Sequence, residues 1–320
     1  MPFLVWAGST AKPENDVLTA VDGREIERSN EDRYRIKKVE YGSLFAAVAD
    51  GAGGEGLFCG EWAGKLLAEL PDMPIATPEA AANWLESFRA PFHSEFEERA
   101  ASDYFLQKKF EREGALSTLS AVWLRPTNRG AKLDALRYGD SPIFIWNSRT
   151  QPGLRFAWPD SFDSYTTNPH LVNCNRGLLQ DEVSIVSDVE LVPGDVVIIA
   201  TDGFGQYISL IAAYLEANES HLSSASASMR TTADLVLTRN DTSLAALVKA
   251  HKNSQSLIRQ TALDTILRGF DAEDSFAEFV ISQYSEGLLP NDDCTVIVVR
   301  VQEPQTKRAS ILGRRIRGSS

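Results

Sequence analysis

The sequence predicts a layered α+β domain built on antiparallel sheets. Two observations carry this. Strand-like and helix-like segments come in blocks rather than in strict alternation, which disfavours a doubly wound parallel fold. The apolar runs are short and close abruptly on Asp-Gly turns, as at 44–51 and 196–203, which suits buried strands that deliver an acid to a turn.

Taken in order, Met1-Pro2-Phe3-Leu4-Val5-Trp6 reads as a first strand. Tyr34 and Ile36 alternate with polar residues, and 44–49 is a buried strand. Residues 61–70 form a helix. From Pro78 to about Lys109, Trp84, Leu85, Phe88, Phe92 and Phe96 recur at helical spacing, and Pro91 is placed to break or kink that stretch. Strands follow at 117–124, 133–138 and 143–146, with Gly139-Asp140-Ser141-Pro142 as a tight hairpin turn between the last two. Residues 148–182 read as loose, 183–191 and 196–200 as strands, and 205–289 as helical with a Ser-rich break at 220–228. Residues 295–301 form a last strand, and the polar, basic stretch 304–320 is a flexible tail. The rest, 1–303, is expected to be one catalytic domain.

The 320 residues are 43% hydrophobic and 24% charged, an ordinary globular balance. No apolar run is long enough to span a bilayer, and the N-terminus lacks the basic and apolar regions of a signal peptide. Cys59, Cys174 and Cys294 are scattered and show no C-x-x-C spacing, against a disulfide framework or zinc site. The expected location is the reducing cytoplasm. A net charge of −12 argues against nucleic acid as a partner. It also leaves two readings of the acids: solubility, or convergence on divalent cations.

Position separates those readings. Asp50 follows one apolar strand and Asp202 another, while Asp292 and Asp293 immediately precede a third. Glu31 and Asp32 precede Tyr34. One acid before a glycine is a common turn. Several at the ends of neighbouring strands are held rigidly together, repel one another and suit hard cations such as Mg²⁺ or Mn²⁺. Paired cations activate water and clamp an in-line phosphoryl displacement.

These residues resemble the motifs of the protein phosphatase 2C family, the metal-dependent Ser/Thr phosphatases of bacterial type. Asn30-Glu31-Asp32 is similar to its N-E-D motif, and Phe45 to Gly54 to its apolar strand with D-G-x-G-G. Gly114 to Thr118 resembles the G-S-T segment, and Tyr138-Gly139-Asp140-Ser141 the V-G-D-S turn. Leu191 to Gly203 resembles the L-x-x-G-D stretch running into T-D-G, and Asn291 to Val299 the final D-N-x-T strand. The resemblance spans about 30 to 301.

It implies a four-layer αββα sandwich of two antiparallel sheets, with the metals at one edge. It implies two Mn²⁺ or Mg²⁺ ions, Asp50 bridging both and the Gly51 carbonyl binding one. Asp202 and Asp292 would bind the second, and Glu31 and Asp32 would hold metal-bound waters. Asp140 would serve a third, weaker ion. Asp50, Asp202 and Asp292 thus become the catalytic set for direct hydrolysis by a hydroxide bridging the metals. Arg28 is the candidate for the substrate phosphate, with Arg24 as its rival. The implied partners are a phosphoprotein substrate and a cognate Ser/Thr kinase, the protein itself being a monomer.

Two departures stand out. Ala52 replaces the histidine that many eukaryotic members carry, and none of His93, His170, His221 and His251 lies in a motif. The stretch from Asp202 to Asp292 is about twice the family's usual length, which marks 210–285 as a helical insertion before the last strand. The alternative function is a catalytically weak pseudophosphatase serving as a regulatory binding module. A phosphatase of small phosphoesters is a third possibility.

Overall fold

Alternation within the strands sets the layers. The computed structural model describes residues 2–14, 18–19, 25–26, 30–52, 54, 56–147, 153–165, 168–215, 222–239, 242–270 and 272–303. Strands β1 (Phe3–Thr10), β2 (Leu18–Thr19), β3 (Glu25–Ile26), β4 (Arg33–Lys38) and β5 (Leu44–Ala49) come first. Helices α1 (Cys59–Glu69), α2 (Pro78–Ala100) and α3 (Tyr104–Glu113) follow. Next are β6 (Leu116–Ser117), β7 (Leu119–Thr127), β8 (Gly130–Tyr138), β9 (Ile143–Asn147), β10 (Gly153–Trp158), β11 (Val172–Asn173), β12 (Ser184–Leu191) and β13 (Asp195–Ala200). Helices α4 (Asp202–Tyr214), α5 (Ser224–Val236), α6 (Thr242–Asn253), α7 (Ser256–Arg268) and α8 (Glu273–Ser285) then precede β14 (Cys294–Val301).

Two five-stranded antiparallel sheets form, in the orders β1-β14-β13-β9-β10 and β12-β8-β7-β5-β4. On β5, Leu44, Ala46 and Val48 face Val197, Ile199, Ile297 and Val299 of the other sheet. Phe45, Ala47 and Ala49 face the other way and pack with Trp62, Leu66, Leu85 and Phe88 from α1 and α2. On the far side, Val196, Ile198, Val296 and Val298 are covered by α4 and the helices around it, through Phe204, Ile208, Met229, Leu263 and Phe276. The central strands are therefore buried on both faces, which is why they read as unbroken apolar runs. The layers are helix, sheet, sheet, helix, as the motif resemblance implied.

Four local expectations are corrected. Helix α2 runs through Pro91, and the chain breaks instead at Ala101–Asp103, where the Asp103 carboxylate caps α3 at Phe105 N (2.7 Å). Phe88, Phe92 and Phe96 are all buried here, Phe92 stacked on Phe96 at 4.1 Å and against Trp62 at 4.6 Å. Burying a large side chain is worth about 1.5–3 kcal/mol, so three together outweigh the roughly 3 kcal/mol of an internal proline. Gly139–Pro142 is no hairpin, because β8 and β9 lie in different sheets. The turn crosses the sandwich, pinned by Ser120 Oγ donating to Ser141 O (2.6 Å) on one sheet and Ala200 N to Pro142 O (3.1 Å) on the other. Gly139 takes φ +94°, open to glycine at little cost. The stretch read as loose contains β10 and β11. In the Ser-rich break, Ser223 caps α5 through Ser226 N (3.2 Å), so the serines start a helix.

Among the described residues, five helices lie between β13 and β14. Arg24, Arg28, His221 and the tail 304–320 lie outside the described residues.

Candidate functional site

The sandwich ends in a cleft of about 310 Å³ where strand ends from both sheets meet. Asp50 follows β5, Asp202 opens α4 just after β13, and Asp292 and Asp293 lead into β14. Asp140 sits on the crossover after β8, and Glu31 just before β4. All six line the cleft, with Gly51, Ala52 and Thr118. Asp32 lies behind them, only 2% exposed. Every described residue of the expected set is thus at this one edge; Arg28 is the expected residue whose place is not described.

Hydroxyl and amide groups hold the carboxylates in place. Thr118 Oγ1 accepts from Asp50 N (3.0 Å) and bonds Ser141 Oγ (2.7 Å), while Thr118 N donates to Asp50 O (2.9 Å). Thr201 Oγ1 donates to Asp32 Oδ2 (2.7 Å) and accepts from Thr295 N (3.0 Å), tying β13 to β14 behind the cleft. Asp293 accepts from Lys12 N at Oδ1 (2.9 Å) and from Glu31 N at Oδ2 (2.9 Å), so it clips the end of β1 to the approach of β4. Its carboxylate is spent on backbone amides, a positioning role. At Gly51 a Cβ would meet Cys59 C at 2.8 Å and Glu31 O at 2.9 Å, so only glycine lets this turn pass between α1 and the Glu31 backbone.

The electrostatics are those of uncompensated charge. Burial pushes Asp50 well above the usual carboxylate range, and the charges of Asp32, Asp202 and Asp292 add to it. Burial, followed by Asp140, raises Asp202 to about 6. The Asp50 and Asp202 carboxyls are within hydrogen-bonding reach of each other. Asp292 is pushed up to about 7 by desolvation and then by Asp202. Asp292 stands exposed at the rim, where water weakens both effects. Burial lifts Asp140 to about 6, and Asp32 well above its ordinary value against the pull of the Thr201 hydroxyl.

This donor set fits a hard divalent cation. It is all oxygen, and Asp32 Oδ1 is buried with no hydrogen-bond partner, a lone pair that a cation or its water would satisfy. Among the described residues no three side chains close into a ready cage. An open set suits Mg²⁺ and Mn²⁺, which keep several waters.

Sequence reasoning missed Lys12. It lies just past β1 and is the one Lys or Arg among the described residues lining the cleft, beside Asp292. No motif marks it; its place depends on β1 pairing with β14 in the register Thr10↔Cys294. Of the histidines, His251 on α6 is buried against Leu288 O and the Tyr207 ring, and His93 lies on α2. All three cysteines are free and buried. Among the described residues no helix is long and apolar enough to cross a membrane.

An αββα sandwich with one acidic edge is thus what the fold and cleft define. No protein-family model matches the chain, and no curated protein matches it. Among solved structures it is similar to the serine/threonine phosphatase of S. agalactiae, at 13% identity and TM-score 0.46 over 94% of this chain and 100% of that one. It is also similar to the serine/threonine phosphatase Stp1 from Staphylococcus aureus, at 12% identity and TM-score 0.44 over 93% and 94%. The phosphatase domain of the cell fate determinant SpoIIE from Bacillus subtilis matches at 18% identity and TM-score 0.36 over 97% of each chain. The architecture of this chain rests on its own sheet order.

Proposed function

We propose that the protein is a metal-dependent phosphatase that removes phosphate from serine or threonine residues of other proteins. The observation that carries this reading is the convergence of Asp50, Asp202 and Asp292 from three strand ends on one cleft, with a buried, unpartnered Asp32 oxygen behind them. Asp50, Asp202, Asp292 and the Gly51 carbonyl would hold two Mn²⁺ or Mg²⁺ ions, with Glu31, Asp32 and Asp140 around them. Such ions, when bound, supply activated water at neutral pH and neutralise charge on a phosphoryl group.

The chain's own residues do the rest. Thr118, Ser141 and Thr201 lock the strand ends so that the carboxylates do not reorganise during reaction. Lys12 brings a positive charge to an otherwise acidic rim and is placed to attract the phosphate dianion. Among the described residues no cysteine stands in the cleft, and the reading needs no covalent phosphoenzyme.

The test is hydrolysis of p-nitrophenyl phosphate and of a phosphothreonine peptide with Mn²⁺, with Mg²⁺ and with EDTA, beside Asp50→Asn. We expect cation-dependent turnover that falls at least about a hundredfold in the variant, the scale of losing one preorganised electrostatic contact at a reacting centre. Cation binding by calorimetry without turnover on either substrate would refute the enzyme reading and leave a regulatory binding module.

A further inference from the structure

A second cleft of about 330 Å³ adjoins the acidic one and shares Pro169 and Leu171 with it. The two also share a floor. Gly51, on the acidic side, bridges to Ser117 of β6, and Val172 of β11 pairs with the same Ser117 on the other side. Two strand spacings are about 10 Å, so an extended peptide crossing from the Asp50 turn reaches the second cleft in about three residues.

The second cleft differs in chemistry. It is lined by Leu116, Tyr138, Leu171 and Leu179, with Arg176 and His170 at its margin. Leu179 is 56% exposed. His170 faces Glu182 at 3.4 Å. Arg176 is exposed, forms no ion pair among the described residues, and its guanidinium makes only a 3.4 Å contact with Arg112 O. The lining is rigidly built. The Tyr138 hydroxyl accepts from Leu179 N (2.9 Å), Asn173 Oδ1 accepts from Asn175 N (2.7 Å) and Arg176 N (3.1 Å), and Arg89 of α2 holds Asn175 O (2.9 Å). A preformed apolar seat with a free cation, continuous with an acidic cleft, fits an extended peptide better than a small ester.

We propose that this second cleft, on the phosphatase reading above, receives the stretch of a phosphoprotein that flanks its phosphoresidue. An apolar side chain about three positions away seats against Leu116 and Leu179, and an acidic side chain meets Arg176.

The test compares phosphothreonine peptides carrying Leu with Asp, or Ser with Lys, around the third position on either side. It uses wild type, Arg176→Glu and Leu179→Ser, and reads the ratio of peptide to p-nitrophenyl phosphate kcat/KM. Wild type should favour the Leu/Asp peptide about tenfold. Arg176→Glu should reverse the charge preference, and Leu179→Ser should erase the Leu preference. Ratios unchanged in both variants overturn the proposal while leaving the phosphatase reading intact. If wild type turns over neither ester with Mn²⁺, that reading has failed, and anisotropy of the labelled Leu/Asp peptide decides. Binding weakened tenfold in Arg176→Glu supports the cleft as a peptide site; no binding to wild type overturns it.

Discussion

The two ends of the sandwich treat buried acid in opposite ways. At the end away from the cleft, Asp195 is 0% exposed, yet it accepts from Asn147 Nδ2 (2.8 Å), Arg155 Nη1 (2.7 Å) and Val192 N (2.9 Å). Nearby, Arg125 bonds Asp134 (2.8 Å) and Asp188 (3.1 Å), and Lys132 joins at 3.0 Å. At the cleft end six acids face a single lysine, and Asp32 has one oxygen with no partner. One end is a finished structure. The other stores repulsion that a cation would relieve, as expected where stability is given up for function.

The largest effect should come from the finished end. Asp195→Ala removes three charge-assisted bonds, from Asn147, Arg155 and Val192 N, leaves Arg155 only Glu190 O, and should destabilise the protein by about 3–5 kcal/mol in urea unfolding. A loss under about 1 kcal/mol would mean that the pairing there is idle.

His251 sharpens the comparison through pH. Its Nε2 meets Leu288 O at 2.6 Å, and burial lowers its pKa from 6.5 to about 4. The folded-state value lies below the unfolded one, so this stability is present above pH 6.5 and is lost as pH falls toward 4. The total is about 3 kcal/mol. Unfolding free energy of wild type minus His251→Gln should decline across that window; a flat difference would show that the imidazole is not held neutral.

At the cleft end the effect is conditional. Mn²⁺ at a hundred times its dissociation constant should stabilise wild type by about 2.7 kcal/mol. Asp202→Asn should abolish that increment, and an undiminished increment would place the cation elsewhere.

The smallest effect has the most telling sign. Asp32→Asn keeps an acceptor for Thr201 and removes a crowded charge, so cation-free stability should rise by about 1 kcal/mol. A fall like that of Asp195→Ala would erase the distinction between the two ends.

The carboxylates of the site were legible because each announces itself locally. An apolar strand that stops at Asp50-Gly51 or Asp202-Gly203 carries its meaning within a few residues, since strand burial and turn chemistry are short-range. The helical character of 61–70, of 78 to about 109 and of 205–289 was legible for the same reason, through apolar periodicity. Tertiary structure decided the rest. Pro91 remains helical because Phe88 and Phe92 of that face are buried against Trp62, brought from α1. Gly139–Pro142 crosses between sheets because β8 and β9 find different partners, and pairing is a choice among distant segments. Lys12 enters the cleft through the β1–β14 register, across more than 280 residues of sequence, as its amide bond to Asp293 shows. Whether a buried carboxylate is satisfied, as Asp195 is and Asp32 is not, depends on donors brought from other strands. The chain's local pattern names the acid; only the assembled sandwich determines what surrounds it.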